Sequence, residues 1–140
     1  MPTSLGLSQD SIIAFVPIVD VEHAKVFYGQ TLGLRLIEEE LPFALVFDAN
    51  GIMLRLTLMA ERSSNQGSVL GWKVADIAKS ARVLQEAGVV FERYPYMEQD
   101  DQGIWTTPNG AKVAWFKDPD GNVLSISQHP ESKFKASQAS

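Results

Sequence analysis

The chain has 140 residues, one domain's worth, and its 45% apolar and 21% charged content is ordinary for a globular protein with a sizeable core. A net charge of −5 without any basic stripe argues against a nucleic-acid or anionic-membrane partner, and the absence of cysteine excludes disulfides, thiolate metal sites and cysteine nucleophiles. No window approaches a membrane span and the first residues lack a secretory pattern, so the expectation is a cytoplasmic protein.

Residues 1–11 read as a lead-in. Ile12 to Val19 is a strand-like run that ends at Asp20, which suits a helix N-cap. Val21, Ala24, Phe27, Tyr28, Thr31 and Leu32 follow helical spacing, and Gly33 supplies a stop. Phe47-Asp48-Ala49-Asn50-Gly51 is a hairpin turn leading into a strand. In that strand Ile52, Leu54, Leu56 and Leu58 form one apolar face, expected to pack under the helix. Met53, Arg55, Thr57 and Met59 then occupy the other.

The pattern then recurs. Val69 to Val74 is strand-like, with Leu70, Trp72 and Val74 on one face and Val69, Gly71 and Lys73 on the other. Asp76 caps a second helical pattern through Ile77, Ser80, Ala81, Leu84 and Ala87, stopped by Gly88. A long acidic and aromatic segment, Tyr94 to Trp105, follows. The strand before Asp118 puts Ala114 and Phe116 on the helix side and leaves Val113 and Trp115. Asp118-Pro119-Asp120-Gly121 turns the chain, mirroring the turn at Gly51. In the last strand Leu124 and Ile126 face the helix, leaving Ser125 and Ser127. Residues 129–140 are polar and aperiodic, the composition of a flexible tail.

Each half thus reads strand, helix, three strands. The expected architecture is α+β, a duplication of two βαβββ modules at 12–60 and 61–128. Their paired sheets would form a cup lined by the faces opposite the helices. By the repeat, Ile13 corresponds to Val69 and Arg55 to Ser125.

Phe-Tyr-Gly-Gln-Thr-Leu-Gly-Leu-Arg-Leu after the first helix, with Trp-Phe-Lys-Asp-Pro-Asp-Gly-Asn-Val-Leu-Ser-Ile-Ser-Gln near the end, resembles the vicinal oxygen chelate superfamily. That superfamily includes glyoxalase I, bleomycin-resistance proteins and extradiol dioxygenases, and the likeness runs from about Ile12 to Gln128. It implies paired βαβββ modules and a homodimer. It also implies where metal-dependent members keep their ligands: at Ile13, at Val69, at Ser125, and at Arg55 or its neighbour Thr57. A catalytic divalent site needs about three ligands such as histidine or carboxylate, and these positions supply none. No metal and no other cofactor is therefore expected.

What remains is a small-molecule site. Arg55 could hold an anionic group bidentately or pair with a nearby acid. Trp115 could stack a planar ligand or fill space. Phe15, Met53, Thr57, Val69 and Ser125 would line the same wall, and Tyr96 and Trp105 could close over it from the long loop. His129, after the last strand, reads more readily as a tail residue than as an acid or base. Three readings stay open. One is a metal-independent binder of an apolar or aromatic molecule. Another is a lyase, isomerase or dioxygenase-type enzyme, either with a metal held in a shifted register or with Arg55 and a loop carboxylate, Glu98 or Asp101, moving a proton. The third is a cup used only as a dimer contact. No residue is assigned a catalytic role.

Overall fold

A computed structural model describes residues 6–62 and 67–130. The expectations for the ends of the chain, 1–5 and 131–140, lie outside the described residues. The chain divides into two compact units, Met1–Arg62 and Ser63–Ser140.

The first unit runs β1 (Ile13–Ile18), α1 (Val21–Val26), β2 (Arg35–Glu40), β3 (Ala44–Ala49) and β4 (Ile52–Leu58), with sheet order β1-β4-β3-β2. β1 lies parallel to β4, and the other pairs are antiparallel. Asp20 caps α1 by accepting the His23 N–H at 3.1 Å. Beyond Val26 the helix widens into one π turn, Phe27–Thr31, closed where Leu32 N–H donates to the Phe27 carbonyl at 2.9 Å. The turn carries the aromatic ring of Tyr28 into the core against Phe47, 6.1 Å between centroids. Val16, Ile18, Leu45, Phe47, Leu54 and Leu56 complete that core. Ile52 departs from the expected apolar face: it is exposed, because it is the first residue after the Gly51 turn, at the end of its strand.

The second unit runs β5 (Ser68–Lys73), α2 (Ile77–Glu86), β6 (Trp105–Thr106), β7 (Lys112–Lys117) and β8 (Val123–Gln128), with order β5-β8-β7-β6. β5 is parallel to β8, as β1 is to β4. Each unit is therefore a βαβββ module with a four-stranded mixed sheet. Asp76 caps α2 by accepting the Lys79 N–H. Ile77 and Ala81 turn inward, and the core adds Phe91, Ala114, Phe116, Leu124 and Ile126. Phe91 meets Phe116 edge-on at 5.7 Å.

The Asp118 turn is tightly built. Asp118 Oδ1 accepts from the N–H groups of Asp120 and Asn122, both at 2.9 Å, and Oδ2 accepts from Asn122 Nδ2 at 2.8 Å. All three side chains are buried. Gly121 closes the turn at φ +88°, a conformation that favours glycine.

Candidate ligand cavity

In the second unit the face away from α2 carries Trp115 opposite Ser125, and Val113 opposite both Ser127 and Trp105. Trp105 and Trp115 lie 6.1 Å apart with their rings tilted by 31°. Tyr94 stands edge-on to Trp115 at 5.7 Å and close to Tyr96 at the same distance. The result is an aromatic wall. Ser68, Tyr94, Tyr96, Met97, Trp115 and Lys117 line an open cavity of about 450 Å³, together with Gly67, Gly121 and Val123. That volume is in the range of small-molecule sites.

Tyr94 is placed by backbone bonds on either side of it. Glu92 N–H donates to the Trp115 carbonyl at 2.8 Å, tying the segment to the edge of β7. Gln99 accepts the Tyr94 N–H at 2.7 Å and donates to the carbonyls of Glu92 and Gly103. Asp100 Oδ1 accepts from Gln102 and Ile104 N–H, and Gln102 reaches the Ala78 carbonyl on α2. The Tyr94–Trp105 segment is thus a hydrogen-bonded loop against its own sheet, with Tyr96 projecting outward, 77% exposed. Partial burial, with smaller contributions from the negative charge of Glu92 and from Tyr96, raises the Tyr94 phenol above its ordinary value.

Two hydroxyls face one another beside the cavity, Ser68 on its wall and Ser125 behind it, outside the lining. Ser68 Oγ and Ser125 Oγ are 3.0 Å apart. Plain alternation expected Val69 in this neighbourhood, but the β5–β8 register shifts between Ser68 and Leu70, and this irregularity brings Ser68 to Ser125. Gly71 sits directly opposite Ser125, where an added Cβ would come within 2.7 Å of the Ser125 hydroxyl. Ser127 Oγ meets His129 Nε2 at 3.0 Å, so His129 has a side-chain partner on the sheet.

The first unit holds the remaining expected residues. Phe15 lies beside Arg55, Ile13 beside Met53, and Pro17 beside Thr57. Phe15 and Met53 are exposed and Thr57 is half-buried. Arg55 donates to Glu40 Oε1 at 2.7 Å, and this bond, helped by the charges of Glu40 and Glu38, raises its pKa further. Arg55 thus faces an acidic strand of its own unit.

The superfamily's metal set does not fit these residues. Ile13 and Val69 are aliphatic, Ser125 is bonded to another serine, and the cationic Arg55 engages the nearby carboxylate of Glu40. Among the described residues no three His, Asp or Glu side chains are grouped to hold a metal.

Sequence reasoning missed Ser68, Lys117, Met97 and Gln99. Lys117 was within reach, since the alternation that selects Val113 and Trp115 also selects it. Ser68 was not, because the register shift in β5 has no marker in side-chain pattern.

The fold of both units has relatives among solved structures. A glyoxalase/bleomycin resistance protein/dioxygenase from Alicyclobacillus acidocaldarius superposes with a TM-score of 0.68 at 18% identity, covering 88% of this chain and 93% of its own. Lactoylglutathione lyase from Agrobacterium tumefaciens gives 0.66 at 16% identity, covering 86% and 95%. The uncharacterized protein YraH of Bacillus subtilis (strain 168) is 33% identical over 123 residues, covering 76% of this chain and 88% of that protein. No helix among the described residues is long and apolar enough to cross a membrane. The family model for the Glyoxalase/Bleomycin resistance protein/Dioxygenase superfamily matches residues 12–126, and the chain belongs to that superfamily.

Proposed function

We propose that the protein binds a small apolar or aromatic molecule in the cavity of its second unit, without a metal, and acts as a binding protein of its superfamily. The observation that carries this reading is the aromatic wall of Tyr94, Tyr96 and Trp115 around an open volume of about 450 Å³. A planar ligand there gains burial against Trp115 and Tyr94 and displaces water from Met97 and Val123. The residues at the superfamily's ligand positions, Ile13, Val69 and Ser125, offer a bound oxygen no Lewis acid to lean on. Sequestration, which needs a cavity and aromatic plates, asks for nothing more. The proposed assembly is a homodimer, as the superfamily resemblance implies, and light scattering measures it directly.

The test is tryptophan fluorescence with the neutral probe N-phenylnaphthylamine. Wild type should quench saturably at one probe per chain. Trp115→Leu should weaken binding about tenfold, the loss expected for a stacking aromatic. Arg55→Ala, in the other unit, should bind within about twofold of wild type, since Arg55 is held by Glu40. Unchanged binding in Trp115→Leu would move the site elsewhere.

A further inference from the structure

Lys117 is the single charged side chain among the described residues lining the cavity. It stands on β7 two residues beyond Trp115, on the same face, opposite Val123. Its ammonium is half-exposed, and Glu92 Oε1 is 3.9 Å away, the outer limit of an ion pair. The other polar groups on the wall are the hydroxyls of Ser68, Tyr94 and Tyr96, each able to donate. No carboxylate among the described residues lines the space.

We infer that the cavity selects planar aromatic molecules that carry an anionic group, with Lys117 as the residue that recognises the anion. A carboxylate, sulfonate or phenolate at the edge of a ring stacked on Trp115 can reach an ammonium on the same strand. A neutral ring loses nothing by its absence. A cationic ring would meet the like charge of Lys117, which Glu92 offsets only weakly from 3.9 Å. The chain's overall charge of −5 disfavours anions in general, so a single cation at the wall makes the local preference run against the global field. The Tyr94 hydroxyl, on the same wall, can donate to the same anion. The inference rests on the cavity being the ligand site proposed above.

Two probes separate the inference from its parent reading. Anilinonaphthalene sulfonate and N-phenylnaphthylamine share the ring system and differ in the sulfonate. Wild type should bind the sulfonate at least about fivefold more tightly at low salt, and the gap should narrow as salt rises. Lys117→Met should weaken the sulfonate about tenfold and leave the neutral probe within about twofold, and Lys117→Arg should restore most of the difference. Circular dichroism and urea midpoints should match wild type in both variants. If both probes bind wild type equally, or Lys117→Met weakens them alike, anion selection is overturned and the aromatic site stands. If neither probe binds wild type, both fall together.

Discussion

Gly71 and Ser125 show how one missing methyl group makes room for a contact between two serines. The hydroxyl of Ser125 lies 2.7 Å from where a Cβ on Gly71 would be, and it bonds to Ser68. Gly71→Ala should therefore push the Ser125 side chain off Ser68 and cost about 1 kcal/mol. Made in a Ser125→Ala background, the same change should be neutral or stabilising, since alanine loses less chain entropy than glycine on folding. Urea midpoints of the four proteins give the coupling, and additive costs would deny the contact. Tyr94 supports a second expectation. Its raised pKa means the folded state prefers the neutral phenol, so its stabilisation is complete below about pH 10 and is lost as pH climbs through the folded value. The fall in stability above pH 10 should be shallower in Tyr94→Phe, measured by urea unfolding at stepped pH. Which residues face away from the helices was legible for Trp115, Ser125, Arg55 and Met53, because period-2 alternation survives wherever the ladder is regular. Ser68 was hidden because the register shift in β5 is a backbone event. The partner of Arg55 was hidden too, since Glu38, Glu39 and Glu40 look alike in sequence, and Arg55 reaches diagonally to Glu40 although the register lines it up with Glu38 through Val46.

The repeated turns compare two copies of one element. Asp48 and Asp118 stand at matching places, and both oxygens serve backbone N–H groups ahead of them. Asp48 accepts Gly51 N–H at 3.1 Å in an exposed setting, whereas Asp118 accepts buried bonds from Asp120 N–H, Asn122 N–H and Asn122 Nδ2. Asp118→Ala should cost about 3 kcal/mol and Asp48→Ala less than about 1 kcal/mol, read from thermal or urea unfolding. Equal losses would mean that burial does not separate the two turns. Both helices were legible from their capping aspartates and spacing. The π turn in the first was not, because Phe27 and Tyr28 satisfy an α-helical pattern equally well, and the inward reach of the Tyr28 ring toward Phe47 is known only once the sheet is in place. The loop from Tyr94 to Trp105 was read as a long excursion between strands. It is held by Gln99, whose amide serves three backbone groups, and nothing in the acidic stretch marks that glutamine apart from Gln102.

At the scale of the whole chain the duplication was the most readable feature, since each half repeats capping aspartate, stop glycine and hairpin turn. The superfamily's chemistry was equally readable as a departure from it. Dialysed protein titrated with Zn²⁺, Ni²⁺, Mn²⁺ and Fe²⁺ should show no tight site at one metal per chain, because the inherited ligand positions hold aliphatic, hydroxyl and guanidinium groups. A stoichiometric site would require ligands outside that set and would reopen the enzymatic reading. One backbone bond has a reach beyond the cavity it helps to build. β6 is only two residues long and leaves part of β7 without a neighbouring strand. The amide of Glu92 fills part of that gap at the Trp115 carbonyl, with a charged side chain beside it. An unguarded edge there would invite another chain to add a strand, the first step of sheet-to-sheet aggregation. The segment that positions Tyr94 also covers this edge, so Glu92→Pro, which removes that N–H, should both weaken probe binding and raise the aggregated fraction seen by light scattering.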